Sequence, residues 1–351
     1  MDVEQTAETA RLEVAAVCAG LEAGGAQPVH VRRLLRAWCR SRPLDEPGSL
    51  PELPARLKRA LPSVAAQLAA LAGICSETRG ADGSTRLLVR LGDGQTVETM
   101  VLPPNGACVS TQVGCAVGCV FCMTGRDGLQ RHLGSAEMVA QAILARQVLA
   151  RSGVCQPLRR IVFMGMGEPA HNLDNTLEAI DVLGTHADIG HKNLVFSTVG
   201  DRRVFECLPL GRVKPALALS LHTTDAGLRR RLLPRAPRID PAELVELGEC
   251  YARATTYPVQ YQWTLLDGVN DTDAELEAIV TLLRNKYAVM NFIPWNTVDG
   301  AGFRRPAAAR AAAMVRHLNR HGVLAKLRRS AGQDIEGGCG QLRARAISSG
   351  I

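Results

Sequence analysis

Four of the chain's eleven cysteines crowd into one short stretch, Cys108, Cys115, Cys119 and Cys122, and the last three are spaced C-x3-C-x2-C. Thiols this close on a loop after a strand invite metal binding or oxidation. Three chemistries compete for them. A structural zinc site needs four ligands in a closed tetrahedron; Cys108 is the available fourth, but it falls inside the preceding strand pattern. A buried, inert set would be exposed to oxidative coupling. The third is an iron–sulfur cluster: a [4Fe–4S] cluster normally takes four thiolates. Three would leave one iron open to a chelating ligand such as the amino and carboxylate groups of S-adenosylmethionine (SAM). Phe121, just before the last cysteine, can shield such a cluster. The start, Met1-Asp2-Val3-Glu4-Gln5, lacks a basic, apolar export signal, so a cytoplasmic location is expected and a disulfide framework is not. The scattered cysteines fit small buried hydrophobes.

Other side chains suited to chemistry stand where strand patterns end, which is where α/β folds gather ligands. In Gly165-Met166-Gly167-Glu168 the glycines permit close backbone approach and the carboxylate can meet an ammonium group. Ser197 and Ser220-Leu221-His222 also close strands; each taken singly reads as a satisfied polar residue at a strand end, and only their place on successive strands facing one mouth points to a site. Cys339 lies in Gly337-Gly338-Cys339-Gly340, a segment pliable enough to carry a side chain into a site and out again.

The elements that must position these groups follow from periodicity. Residues 1 to 80 read as helical, with Val31, Leu34, Leu35 and Trp38 at helical spacing and a second helical region over 50–75. From Ser84 the period becomes two, giving a hairpin about Asp93-Gly94. Pro103-Pro104-Asn105-Gly106 then punctuates the chain. Strands are predicted at 107–113, 160–165, 193–199, 216–222, 259–266 and 288–294. Helices lie between them, with Ser135, Asp240 and Thr272 as caps and an Ala-rich helix over 306–321. This alternation predicts an α/β fold with a parallel sheet, either an open barrel or doubly wound. The expected organisation is a helical accessory domain over 1–80, a β-hairpin and linker over 81–105, and the α/β body with its terminal loop over 106–343.

Composition narrows the partners. Of the 351 residues, 46% are hydrophobic and 21% charged, which excludes a disordered, collagen-like or coiled-coil chain. No apolar run is long enough to span a membrane. Basic residues number 41 against 34 acidic, a net charge of +7, and 36 of the basic residues are Arg. The planar guanidinium grips phosphate in two places, so the excess leans towards nucleic acid. A GC-rich genome would give the same excess.

The cysteine spacing, with Phe121 before the third thiol, resembles the radical-SAM signature. The segment Cys108-Val-Ser-Thr-Gln-Val-Gly-Cys115 narrows the likeness to the RlmN/Cfr family of radical-SAM RNA (adenine) methyltransferases. Met164-Gly-Met-Gly-Glu-Pro169, Phe196-Ser-Thr-Val-Gly200, Leu219-Ser-Leu-His222, Leu266-Asp-Gly-Val-Asn-Asp271, Asn291-Phe-Ile-Pro-Trp-Asn296 and Gly332-Gln-Asp-Ile-Glu-Gly-Gly-Cys-Gly-Gln341 follow in the family's order. The resemblance implies a partial (β/α)6 barrel with a small helical N-terminal domain and hairpin. It assigns Cys115, Cys119 and Cys122 to a [4Fe–4S] cluster, and Gly167, Glu168, Ser197, Ser220, Leu221, His222 and Asn296 to SAM. It makes Cys339 the carrier of a methyl group (S-methylcysteine), Cys108 the resolving cysteine that later forms a disulfide with it, and Glu98 a proton acceptor.

The implied reaction is methylation of C2 of an adenosine in 23S rRNA or tRNA. That carbon is electron-poor and cannot attack the methyl of SAM, so the methyl passes first to a thiolate. The alternatives are C8 or another substrate on the same fold, or a zinc-stabilised RNA-binding protein. The implied partners are RNA with a single-stranded or loop target and a low-potential donor such as flavodoxin or ferredoxin. Arg229, Arg230, Arg231, Arg235, Arg238, Arg328 and Arg329 are the candidate RNA grips. Three departures fall in segments that could meet RNA. His132-Leu133-Gly134 stands for the usual Asn-Leu-Thr, Thr223 replaces an alanine after His222, and Arg235-Ala236 stands where an asparagine is expected. They put the substrate in question rather than the reaction.

Overall fold

Helices α1 (Val14–Ala23), α2 (Pro28–Cys39) and α3 (Ala55–Ala69) come first in a computed structural model that describes residues 13–46, 50, 52–152, 157–298 and 300–328. On α2 the predicted stripe Val31, Leu34, Leu35 and Trp38 is buried. The helix expected over 50–75 stops short: Ala72–Arg79 is strand β1, paired with β2 (Thr85–Leu91) through Ile74↔Val89 and Thr78↔Arg86. Its partner is the next strand, reached through a tight turn in which Gly80 N donates to Ser84 O at 2.8 Å. Strand β1 is an edge strand with few buried residues, so its apolar pattern does not alternate.

Strand β2 turns at Asp93-Gly94 into β3 (Thr96–Leu102), with Leu87↔Thr99 and Val89↔Val97 opposite one another. Strand β3 then pairs with β4 (Gly106–Cys108), so hairpin and parallel strands form one sheet. The strand expected over 107–113 is two: β4, and β5 (Gln112–Gly114), which leaves the sheet to pair with β6 (Leu129–His132). Thr111 and Gln112 donate to Met166 O at 2.8 and 3.2 Å, which draws the chain off the ladder.

The remaining elements alternate: α4 (Ser135–Arg151), β7 (Arg160–Phe163), α5 (Leu173–His186), β8 (Leu194–Thr198), α6 (Arg202–Cys207), β9 (Ala216–Ser220), α7 (Ala226–Leu232), α8 (Pro241–Thr255), β10 (Val259–Leu265), α9 (Asp273–Leu283), β11 (Ala288–Pro294), α10 (Ala308–Arg320) and β12 (Ala325–Leu327). The order β1-β2-β3-β4-β7-β8-β9-β10-β11-β12 is linear and parallel from β4 onward, one strand more than the six expected. Asp240 and Thr272 cap their helices as predicted. Ser135 does not: it is the first helical residue, and Glu137 Oε2 accepts from Gly134 N at 2.8 Å instead.

Alternate residues of the strands point to opposite faces. One set, including Phe163, Phe196, Tyr261, Trp263 and Phe292, merges with the helices into the main core. The other, Val162, Val195, Ala216 and Ala218 with Leu102, Cys108 and Met164, forms a separate cluster on an inner face, to which no helix among the described residues contributes. A doubly wound sheet would bury both faces under helices; the open-barrel alternative holds.

Candidate active site

The cysteine loop runs between β5 and β6 across the C-terminal ends of the parallel strands. Cys115 N donates to Gly128 O, and Cys122 N to Cys119 O, both at 3.0 Å. Gly118 has φ +65°, and a Cβ on Gly125 would lie 2.8 Å from the Gly118 Cα, so the loop crosses itself where only glycine fits. Val120 N donates to Leu232 O, and Arg235 Nη1 to Ala116 O, at 3.1 and 3.2 Å. Trp295 Nε1, just beyond β11, donates to Phe121 O at 2.9 Å. Cys115 and Cys119 lie in an apolar cap with Val117, Val199, Leu232, Leu233 and Leu266.

Burial pushes the Cys115 thiol up to about 12 and raises Cys119 well above its ordinary value. The charge of Cys122 raises both further. Thiols that resist ionisation until a cation arrives are the donors a metal centre deprotonates. Among the described residues no three Cys, His, Asp or Glu side chains close on one ion. Cys108, the fourth ligand a zinc site would need, packs instead with Val162 and Met164 on the inner face. The donor set fits a cluster that spreads three thiolates over several irons.

Gly167 has φ +102°, and a Cβ there would lie 2.6 Å from the Gln112 Cβ. The next residue is thereby fixed against Gln112, whose Oε1 accepts from Glu168 N at 2.7 Å. Glu168 is buried and accepts from Ala170 N at 3.1 Å and Val199 N at 2.9 Å. Burial nevertheless pushes its carboxyl up to about 7. Ser197 and Ser220 are half-buried on the inner face, and Leu221 N donates to Gln262 O at 3.1 Å.

His222 is left-handed at φ +63° and buried. Its Nδ1 accepts from Thr264 N at 2.9 Å, which leaves the hydrogen of the neutral ring on Nε2. Burial, and next the Arg229 charge, push the imidazole down to about 3. Its ring meets Phe121 edge-on at 4.9 Å, joining the β9 end to the cysteine loop. Asn296 is half-buried, with Oδ1 3.5 Å from Arg305 Nη2.

Cys108 lies opposite Met100 on β3, and Glu98, two residues along, shares that face. Glu98 is 5% exposed, so it is not the solvent-facing glutamate that its place on a hairpin suggested. Cys339 and Arg329, and with them the expected Cys108–Cys339 disulfide, lie outside the described residues. Arg229 is not an RNA grip: its buried guanidinium donates Nη2 to Val199 O and to Ser220 O, the latter at 3.1 Å. Arg230, Arg231, Arg235 and Arg238 are exposed. Sequence reasoning passed over Gln112, Arg229 as a brace, and Asn270. Asn270 Nδ2 donates to His222 O and Thr264 O at 2.8 Å. Gln112 and Asn270 lie within segments already singled out, but polar type alone does not reveal which turn a side chain braces.

By likeness to known proteins, this fold and site are those of a SAM-dependent methyltransferase of the radical-SAM type. The structure is similar to that of a radical SAM methyltransferase from Sphaerobacter thermophilus, with TM-score 0.81 and 33% identity, over 94% of this chain and 97% of that one. The sequence is 67% identical to a probable RNA methyltransferase of Aromatoleum aromaticum over 332 residues, 94% of this chain and 92% of the relative. It is 60% identical to one of Pseudomonas aeruginosa, over 92% of each. A search of protein-family models finds none that matches. The chain belongs to this family of probable RNA methyltransferases. No helix among the described residues is long and apolar enough to cross a membrane.

Proposed function

We propose that the chain is an RNA methyltransferase of the RlmN/Cfr type, adding a methyl group to C2 of an adenosine in 23S rRNA or tRNA through S-methylcysteine at Cys339. The observation that carries this is the separation of the thiols: three on a loop over the strand ends, and Cys108 apart from them on the inner face beneath. Cys115, Cys119 and Cys122 hold the [4Fe–4S] cluster, which when bound supplies the electron that cleaves SAM. Gly167 and Glu168 take the amino group of SAM; Ser197, Ser220, Leu221, His222 and Asn296 line the remainder. His222, neutral, offers an Nε2–H donor rather than a charge.

Cys339 accepts a methyl from one SAM on its sulfur, gives up one of that methyl's hydrogen atoms to the deoxyadenosyl group cleaved from a second SAM, and bonds the carbon to C2 of the base. Once the ring proton has left, the remaining electron goes back to the centre that supplied it, and enzyme and RNA stay joined. Glu98 takes the ring proton. The Cys108 thiolate then attacks the Cys339 sulfur: the S–S bond forms, the sulfur–carbon bond breaks, and its electron pair goes to the carbon, which takes up a proton to become methyl. Naming of the relatives as RNA methyltransferases supports the substrate class. The test is Cys108→Ala expressed in cells. It is expected to retain RNA covalently at Cys339, and a variant that never retains RNA contradicts the crosslink.

A further inference from the structure

Strand β10 sends Tyr261 and Trp263 into the main core, where the Tyr261 hydroxyl donates to Val245 O at 3.3 Å and Trp263 Nε1 to Asn270 O at 3.1 Å. Gln262, between them, therefore points to the inner face. Register sets it between Ser220 on β9 and Asn291 on β11, so the three side chains form one polar row beside the strand ends. Gln262 is 4% exposed. Its Nε2 donates to Gln260 O at 3.1 Å. An amino group facing a carbonyl fixes which way round the amide lies, and the other end is Oε1, which has no partner among the described residues. The small apolar wall of Val195, Ala216 and Ala218 offers no donor. A buried acceptor left open at the bottom of a site awaits a donor from what the site binds.

We propose that Gln262 is a specificity-determining residue whose Oε1 accepts the exocyclic N–H of an adenine ring held against the inner face. The proposal rests on the functional reading above. Adenine enters from two sources, SAM and the target base, and the experiment separates them. Gln262→Met keeps length and removes the acceptor. It is expected to fold and to melt close to the parent, because loss of the unsatisfied acceptor offsets loss of the Nε2 bond to Gln260 O, whereas a structural glutamine would lower the melting temperature on removal.

Anaerobic equilibrium binding compares SAM with its analogue bearing purine, without the amine, in place of adenine. If SAM is the source, the parent prefers SAM at least tenfold and Gln262→Met loses that preference. If the target base is the source, SAM binding is unchanged and the RNA adduct of Cys108→Ala falls at least tenfold when Gln262→Met is added. Unchanged SAM preference together with unchanged adduct overturns the assignment, as does a fall in melting temperature with both binding readouts unmoved. A parent that binds no SAM and a Cys108→Ala that traps no RNA instead contradict the functional reading itself.

Discussion

His222 shows how a single buried ring reports on its surroundings. It is left-handed, fully enclosed and held neutral down to about pH 3, against an ordinary value near 6.5. Between those values the unfolded chain binds a proton that the folded chain does not, so stability rises with pH across this window and is lost as pH falls through it. The contribution is at most about 1.4 kcal/mol per pH unit. Asparagine tolerates the left-handed backbone and offers an acceptor to Thr264 N. His222→Asn is therefore expected to flatten the pH dependence of urea unfolding between pH 4 and 6 without unfolding the chain; parallel slopes in the two proteins would contradict the assigned burial. The cysteine spacing and the strand-end motifs were legible because chemistry constrains them at the level of residue type. What Arg229 does was not: an arginine in an arginine-rich run reads as solvated, and only the packing of α7 against the ends of β8 and β9 turns it inward.

At the scale of elements, Arg131 on β6 ties three of them together. It donates to Asp93 at the hairpin tip at 2.6 Å and in two places to Glu137 on α4 at 2.8 and 2.9 Å. Its side chain is 10% exposed and that of Glu137 1%, so this is a buried ion network that fixes the hairpin carrying Glu98 against the body. Burial holds the Glu137 carboxyl above its usual value even with the arginine in place. Arg131→Met leaves that carboxylate alone and is expected to cost about 3–5 kcal/mol in thermal or denaturant unfolding. Glu137→Gln in the same background should recover part of it, and a cost below about 1 kcal/mol would mean the network is dispensable. The alternation of strands and helices after 107 was readable because each unit is locally periodic. Strand β1 and the short strand β12 were not: β1 is a mostly solvent-facing edge strand without apolar alternation, and β12 exists through β11, which lies across the whole of α10 in sequence.

For the whole molecule, the net charge of +7 and the exposed Arg230, Arg231 and Arg238 beside α7 place basic surface next to the strand ends. Phosphate contacts release counterions, so RNA affinity should fall with salt. Replacing these three arginines by alanine is expected to reduce the salt slope of RNA binding by roughly 2, at about 0.7 per contact with single strands. An unchanged slope would move the RNA path elsewhere. The proposed function rests on one arrangement at the strand ends: a metal centre held by three protein thiols, with an iron left for SAM. Electron paramagnetic resonance of the anaerobically isolated, reduced protein tests this most directly. The account predicts the signal of a reduced [4Fe–4S] cluster whose shape changes when SAM is added; a protein without that signal, or with one that SAM leaves unaltered, would contradict it.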